Sequence, residues 1–301
     1  MYKKPLLMAT EQQELPEYVN PNFLVAVIVS TFDEHSYSFI DWHYHEPFQF
    51  CVVLKGTVCF QLEHIQYTVS KGDGIFINSQ QLHMSKPIGS DDAAYLCVDI
   101  HPKVIGGDVG CLIYKKYVLP VIENKGLQAV SLSASDTKGK DIIEALKKVY
   151  SLYEKQEHAY ELDMSICILQ LYKLLFLHFN LSSQVIESPN IKTDYLKAIF
   201  QYIWGKYSHK ISLDMIAKHV HLSRSECCRY FKKMTGQSLF EYITLFRIDR
   251  GMNLLRNTEM SIANIAQAIG FQSQSYFTEC FRKRLGMTPG DYRKTILHTH
   301  I

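Results

Sequence analysis

Four polar side chains in the first hundred residues, three imidazoles and one amide, could hold a ligand if the fold brought them together. They are His43, His45, Gln49 and His83. Neutral imidazole suits zinc, iron, nickel or copper, so three histidines could bind one divalent metal ion. The neutral amide oxygen of Gln49, however, is a weaker metal ligand than a carboxylate. A metal site is therefore one of several chemical possibilities for this group.

The same side chains could instead bind an uncharged polar molecule, because imidazole and amide groups donate and accept hydrogen bonds. A sugar or another polar metabolite would fit a pocket that combines such groups with aromatic walls. The aromatic residues closest in sequence are Trp42, Tyr44 and Phe48. His43 and His45 could also have a purely structural role.

A second set of polar side chains lies near the C-terminus. Ser223 and Glu226 have the spacing of a capping box, which predicts a helix from Arg224 to about Met234. At 3.6 residues per turn, its outer face carries Arg224, Ser225, Cys228, Arg229 and Lys232. A second helix, from about Ser273 to Leu285, presents Gln274, Ser275, Thr278, Glu279 and Arg282.

Short apolar runs separated by turn residues position the histidines. From Phe23 to about Val98 these runs predict β-strands, and their close spacing predicts a small sandwich or barrel. The alternation on either side of Lys55-Gly56 predicts a hairpin there. From 141 to 180 the pattern changes to that of two helices, which either pack on the barrel or form a dimer.

The segment after residue 181 predicts an interdomain linker, and the charge of the chain divides near it. Residues 190–301 contain 17 Lys and Arg against 8 Asp and Glu, a net charge of +9, whereas the preceding residues carry −7. A basic domain favours a polyanionic partner.

With 47% hydrophobic residues the chain can form packed cores, but it contains no apolar run long enough to span a membrane. We expect a cytoplasmic protein with unpaired cysteines.

The basic part contains an internal repeat. Ser212 aligns with Ser261 at an offset of 49 residues, and after one extra residue Phe231 aligns with Phe281 at an offset of 50. Both copies contain a short helix, a turn and a longer helix. A capping box at Ser238 begins a connecting helix, Leu239 to Asn257, between them. Two helix-turn-helix units joined by a helix are predicted.

These segments closely resemble the AraC/XylS family of transcription regulators. The resemblance is carried by FKKMTGQSLFEYITLFRIDRGMNLL and IANIAQAIGFQSQSYFTECFRKRLGMTPGDYR, and it covers about a hundred residues. Gly251 departs from the family, which usually has Ala there, so we expect a less stiff connecting helix. Glu279 departs as well, because many relatives have Arg, and an acidic residue favours cytosine N4.

The resemblance implies which side chains contact DNA. Base edges would be contacted by Ser225, Cys228, Arg229, Gln274, Ser275 and Glu279. Arg can pair with guanine and Gln with adenine in the major groove. Phosphates would be contacted by Arg224, Lys232, Lys233, Arg282 and Lys283, which supply affinity without sequence information.

The spacing of the N-terminal residues resembles that of a cupin barrel, the usual sensor domain of this family. Metal-binding cupins have a Glu at the position of Gln49 and Pro and Gly at those of Asn78 and Gln80. Regulatory cupins generally bind an effector. We therefore expect an effector pocket made of Trp42, His43, Tyr44, His45, Phe48, Gln49 and His83, with no cofactor. Metal binding by His43, His45, Gln49 and His83 is the less favoured alternative.

The predicted fold is a multidomain α and β protein with a cupin-like β-barrel, helices after it, and an all-α C-terminal domain. We predict a barrel over 1–110, a dimerisation or packing region over 111–181, a linker over 182–193 and a DNA-binding domain over 194–301.

The predicted function is a non-enzymatic, sequence-specific regulator controlled by a small polar effector such as a carbohydrate. Its predicted partners are double-stranded DNA, the effector, a second copy of the chain and, for an activator, RNA polymerase. The alternatives are a cupin metalloenzyme fused to a DNA-binding domain and a constitutive regulator without an effector.

Overall fold

The computed structural model describes residues 18–32, 39–63, 65–89, 92–179 and 193–298. The chain forms two compact units, Met1–Asn190 and Ile191–Ile301. Most of the predicted linker, 182–192, lies outside the described residues. Thr193, its last residue, begins a helix of the second unit.

Antiparallel strands build the first unit. Those of the described residues are β1 (Val25–Phe32), β2 (Ile40–His43), β3 (Phe48–Lys55), β4 (Thr57–Leu62), β5 (Ile65–Ser70), β6 (Gly74–Ile77), β7 (His83–Pro87), β8 (Ala93–Ile100) and β9 (Ala129–Leu132). One sheet has the order β1-β8-β3-β6-β9 and the other β2-β7-β4-β5. The two sheets share an apolar core, where Phe60 of β4 lies 5.1 Å from Tyr95 of β8, ring centre to ring centre. The predicted small β-domain is confirmed.

The turn at Lys55-Gly56 joins the two sheets, so the predicted hairpin is wrong. β3 pairs with β6 and β8, whereas β4 pairs with β5 and β7. Gly56 has a φ of +68°, and a Cβ atom there would lie 2.7 Å from the carbonyl oxygen of Asp92. Glycine permits this tight turn between the two sheets because it has no Cβ atom.

Strand β3 is buried on both faces, which explains its continuous apolar sequence. Cys51 and Val53 lie in the core between the sheets. Phe48, Phe50 and Val52 pack on the other side, in a second core that includes helical residues. Side chains alternate along a strand, so neighbouring residues of β3 contact different layers.

Helices cover the outer face of the larger sheet. They are α1 (Pro102–Gly106), a π-helix (Tyr114–Val118), α2 (Leu119–Ile122), α3 (Thr137–Lys155) and α4 (Tyr160–His178). Leu146 of α3 and Leu171 of α4 are fully buried in the outer core. Barrel packing, one of the two predicted roles, thus accounts for one side of these helices. No helix among the described residues is long and apolar enough to cross a membrane.

The barrel extends past residue 110, where we placed its end. β9 pairs with β6 over Ala129–Leu132 and forms the last strand of the larger sheet. The side-chain amide of Asn78 donates to the carbonyl oxygens of Val121 and Leu127 and fixes the intervening loop. A four-residue strand between helical segments has too short an alternation to be seen in sequence.

The second unit is helical throughout its described part. Its helices are α5 (Thr193–Lys206), α6 (Leu213–His219), α7 (Arg224–Thr235), α8 (Leu239–Asn257), α9 (Ile262–Ala268), α10 (Gln274–Leu285) and α11 (Pro289–His298). Both predicted capping boxes are present, at Ser223 with Glu226 and at Ser238 with Glu241. The predicted pair of helix-turn-helix units is confirmed.

Helix α8 contributes to two cores. In the first, Tyr242 packs against Phe200 and Phe231, and its hydroxyl accepts a hydrogen bond of 2.9 Å from the Trp204 indole. In the second, Ile248 and Leu255 of α8 pack with residues of α9 and α10. One continuous helix therefore connects the two helix-turn-helix units.

Gly251 lies where α8 packs against Ile269 and against Phe277 of α10. It is buried, and a Cβ atom there would lie 2.9 Å from Cδ1 of Ile269 and 3.1 Å from the Phe277 ring. The glycine thus allows tight helix packing. This is a second effect of Gly251, in addition to the lower stiffness of α8 that its helix propensity predicts.

We predict opposite effects for the same substitution at two helical glycines. Gly205→Ala, in exposed space at the end of α5, should raise the free energy of unfolding by about 0.5 kcal/mol through helix propensity. Gly251→Ala should lower it by about 1 kcal/mol, because crowding against Phe277 exceeds that gain. Urea unfolding of a Trp42→Phe background, where Trp204 reports alone, measures both. A stabilised Gly251→Ala variant would contradict the packing role.

Candidate functional site

The outer faces of α7 and α10 form a polar surface. Most predicted contact residues are exposed there, namely Arg224, Ser225, Arg229, Lys232, Lys233, Gln274, Ser275, Glu279, Arg282 and Lys283. Cys228 is half-buried. The inner faces are fixed by Phe231 and Phe281, which are fully buried. Packing of the inner side therefore determines which side chains point to solvent.

Charged side chains of α7 and α10 lie close enough to the start of α8 to affect a carboxyl group there. The Ser238 hydroxyl and N–H lower the pKa of Glu241, and Lys232 of α7 and Lys283 of α10 lower it further. Both lysines are therefore near the start of α8. Arg224 of α7 lies 3.4 Å from Asp214 of α6, but both side chains are 66% exposed, so this ion pair contributes little to stability.

One residue of this surface was missed by the sequence analysis. Tyr276 of α10 is about half exposed and its ring packs against Phe271, 5.6 Å away. It stands directly after Gln274 and Ser275, on the same first turn of the helix. An aromatic residue flanked by polar residues at a helix start was the available signal. Guanidinium, amide, hydroxyl and aromatic groups on an exposed helix face can contact base edges and sugar-phosphate groups.

The barrel brings His83 next to His43 and His45, which lie far from it in sequence. His43 ends β2, His83 begins β7, and these two residues are directly paired across the sheet. The ring centres are 4.1 Å apart for His43 and His83 and 5.1 Å apart for His45 and His83. One potential ligand atom from each of the three lies within 4.8 Å of the others.

Backbone carbonyls determine the tautomer of all three rings. Nδ1 lies 2.7 Å from the Asp41 oxygen in His43, 2.9 Å from the Pro47 oxygen in His45 and 2.9 Å from the Gln81 oxygen in His83. A carbonyl oxygen can only accept, so Nδ1 carries the hydrogen in each ring. In the neutral imidazole, Nε2 is then the nitrogen that bears the lone pair.

A buried carboxylate stands beside this cluster. Gln49 is the cross-strand partner of Asp99 on β8, and its amide nitrogen donates to Oδ1 of Asp99 and to Nε2 of His45, both at 3.2 Å. The Cys97 thiol also donates to Oδ1 of Asp99. The sequence analysis missed Asp99, although an acidic residue within the apolar strand AAYLCVDI was a visible signal.

Burial favours the neutral forms of these groups. It lowers the pKa of His43 and of His45 to about 4, and it lowers the pKa of His83 well below its ordinary value. It raises the pKa of Asp99 to about 6, against the hydrogen bonds from Cys97 and Gln49. The three imidazoles are therefore uncharged at neutral pH.

Phe48 does not line this cluster as we expected. Its ring packs against Phe76 and against Tyr172 of α4, at 5.8 and 5.6 Å, in the core outside the barrel. The reason is strand alternation, because Gln49 occupies the inward position next to it. Trp42 and Tyr44 are buried beside His43 and His45 in sequence. Their role as pocket walls stays a prediction.

Comparison with known proteins finds two family models in the chain. An AraC-like ligand binding domain matches residues 24–171, and a helix-turn-helix domain matches residues 216–295. The chain is similar to the HTH-type transcriptional regulator YdeC of Bacillus subtilis, with 32% identity over 94% of this chain and 96% of that protein. It is also similar to the Msm operon regulatory protein of Streptococcus mutans, with 35% identity over 42% of this chain and 46% of that protein.

Among solved structures, an apo form of a ToxT variant from Vibrio cholerae is similar, with a TM-score of 0.48, 15% identity and coverage of 90% of this chain and 97% of that one. The predicted family is confirmed by the match to YdeC along almost the whole of both chains and by the two models in the predicted order. The chain therefore belongs to the AraC family of DNA-binding, helix-turn-helix transcription regulators.

Proposed function

We propose that this regulator binds DNA through α7 and α10 together and that a small polar effector in the barrel controls the binding. One observation carries the proposal. Helices α7 and α10 each expose a polar face, and the continuous helix α8 connects the two units to which they belong. Helices so connected can enter major grooves about one helical turn apart.

Base recognition falls to side chains on the outer faces of the two helices. In α7 they are Ser225, Cys228 and Arg229, and in α10 they are Gln274, Ser275 and Glu279. Arg229 can donate two hydrogen bonds to guanine, and Gln274 can pair with adenine. Arg224, Lys232, Lys233, Arg282 and Lys283 contact phosphates, and their charge supplies a salt-dependent part of the affinity.

The barrel is the proposed effector site because it concentrates polar groups in an apolar interior. His43, His45, His83, Gln49 and Asp99 are all buried there. Their donors and acceptors suit a carbohydrate or a related polar metabolite. The effector acts by binding more tightly to one arrangement of the regulator than to another.

The outward side of α4 is the proposed dimer contact. Leu162, Ile166 and Leu169 are 67%, 53% and 45% exposed and follow one another at intervals of four and three residues. Leu177, two turns further, is also exposed. Such spacing forms the apolar seam of a helix pair. A cytoplasmic dimer that occupies two copies of its site completes the proposal, and RNA polymerase is a further partner in the case of an activator.

Substitution of the base-contacting residues tests the DNA proposal. In the full-length chain, Arg229→Ala and Gln274→Ala should each weaken binding to a selected site by about 5- to 150-fold, because one bidentate base contact is lost. Each should also relax preference at one base position. Binding-site selection followed by fluorescence anisotropy measures both effects.

Two further variants serve as comparisons. Lys232→Ala should weaken binding to all duplexes alike and reduce the salt slope by about 0.9, as expected for one lost phosphate contact. Lys147→Ala, an exposed lysine on α3, should change neither quantity. Unchanged base preference in both Arg229→Ala and Gln274→Ala would refute the assignment of these contacts.

The dimer contact is tested by introducing charge into the apolar stripe of α4. The double substitution Ile166→Glu and Leu169→Glu should convert a dimer into a monomer, because four buried carboxylates would face one another in the pair. Gln170→Glu, at an exposed position beside the stripe, should remain dimeric. Sedimentation equilibrium gives the masses, and a dimer that survives the double substitution contradicts the contact.

Effector binding is tested by thermal unfolding against sugars and sugar acids. A true effector at one hundred times its Kd should stabilise the barrel by about 2.7 kcal/mol and should change the affinity for the selected DNA site. If no compound on the panel changes either quantity, the sugar assignment fails and constitutive binding is favoured.

A further inference from the structure

A cleft of about 440 Å³ lies in the second unit, beside the first turn of α10. Its walls come from both helix-turn-helix units. The segment before α6 supplies Lys210, the turn before α10 supplies Gln272, and the connecting helix α8 supplies Arg247. A molecule bound in this cleft would therefore contact parts of the chain that belong to each unit.

Two backbone carbonyls fix the Arg247 side chain at this place. Its Nε donates to the carbonyl oxygen of Tyr207 at 2.9 Å, and its Nη2 donates to that of His209 at 2.8 Å. Gly270 allows the turn before α10 to approach these groups, because a Cβ atom there would lie 2.3 Å from the Tyr207 oxygen and 3.0 Å from Nη2 of Arg247. The guanidinium is thus held in position by the backbone before any ligand arrives.

This held guanidinium can still bind a ligand. In the part of the chain that the structure describes, Nη1 of Arg247 makes no hydrogen bond. Partial burial lowers the pKa of Arg247, which means that its charge is less well solvated than in water. An anion in the cleft would compensate for that loss of solvation.

The charge of the cleft favours an anion. Lys210 is exposed at its edge and adds a second positive charge to that of Arg247. None of the described residues that line the cleft is acidic. The amide of Gln272, also exposed, can donate a further hydrogen bond. Two cationic groups and a neutral donor without a carboxylate among them suit a phosphate group.

The position of the cleft indicates where such a phosphate comes from. Tyr276, which lines the cleft and is 52% exposed, shares the first turn of α10 with Gln274 and Ser275. When Gln274 reaches a base edge in the major groove, the strand that borders the groove passes close to the start of the helix. The cleft therefore lies beside the path of the DNA backbone.

We propose that this cleft binds one phosphate group of the DNA backbone through Lys210 and Nη1 of Arg247, with Gln272 as an additional donor. The inference rests on the proposed DNA binding by α7 and α10, and it adds a contact that the outer faces of those helices do not supply. Because the cleft has walls from both units, the phosphate fixes the DNA strand relative to both recognition helices.

Uncharged linkages placed singly in the DNA test the proposal with the full-length protein. In each duplex of a series, one phosphate of the selected site is replaced by a methylphosphonate, and fluorescence anisotropy gives the Kd. One such linkage, at the border of the groove read by Gln274, should weaken binding of the unchanged protein about 10-fold. Lys210→Ala should weaken binding to the unmodified duplex by a similar factor and lose its sensitivity to that linkage, because the contact is already absent.

Three variants serve as comparisons. Lys206→Ala, an exposed lysine at the end of α5 that does not line the cleft, should bind every duplex as the unchanged protein does. Lys232→Ala should keep its sensitivity to the linkage, because its own phosphate contact lies elsewhere. Gln272→Ala should reduce that sensitivity, but by less than Lys210→Ala, since it removes an uncharged donor.

A free phosphate ion has the same chemistry, so thermal unfolding is measured with inorganic phosphate and with chloride at equal ionic strength. The two salts should give the unchanged protein and Lys210→Ala the same difference in stability. Stabilisation by phosphate in the unchanged protein alone, with unaltered sensitivity to every linkage in Lys210→Ala, would assign the cleft to a free anion and overturn the contact with DNA.

The failure of this contact can be told apart from the failure of DNA binding itself. If Lys210→Ala binds the unmodified and the modified duplexes as the unchanged protein does, the cleft contact is refuted and the contacts of α7 and α10 stand. If the unchanged protein binds no duplex in a salt-dependent manner, both proposals are refuted.

Discussion

The second unit depends on the participation of α8 in two hydrophobic cores. Tyr242 near its start belongs to the aromatic cluster with Phe200 and Phe231, and Leu255 near its end belongs to the core around Phe277. Neither helix-turn-helix unit can turn relative to the other without breaking contacts of a buried side chain on that helix. The orientation of α7 relative to α10 is thus a property of core packing, and Gly251 leaves room for the contact of α8 with Ile269 and Phe277.

The sequence predicts the helical unit well because its signals are local. The capping boxes at Ser223 and Ser238 predict the first residues of α7 and α8 correctly. The internal repeat adds to this, because the helices predicted in one copy support the same prediction in the other. The barrel is predicted less well, since strand pairing is a long-range choice. The alternation on either side of Gly56 indicates two strands, β3 and β4, but it does not show that they pair with other strands and not with each other. Strand β9 is too short to give a pattern.

The cluster in the barrel shows the same division. The resemblance to cupins implies a shared site for His43, His45 and His83, and the structure brings their rings together. The part played by Asp99 depends on the pairing of β3 with β8, and the tautomers depend on carbonyl groups of Asp41, Pro47 and Gln81. No local pattern contains that information. Strand alternation explains why the Phe48 side chain points away from the barrel interior, but only once Gln49 is known to face inward.

The double burial of β3 has a mechanical consequence. Gln49 contacts His45 and Asp99 inside the barrel, while the adjacent Phe48 packs on Tyr172 of α4 outside it. A single peptide unit thus separates the interior from the helix whose far side bears the exposed leucines. Any shift of β3 would therefore reach α4 directly, because no residue of the strand separates the one that faces the interior from the one that faces the helix.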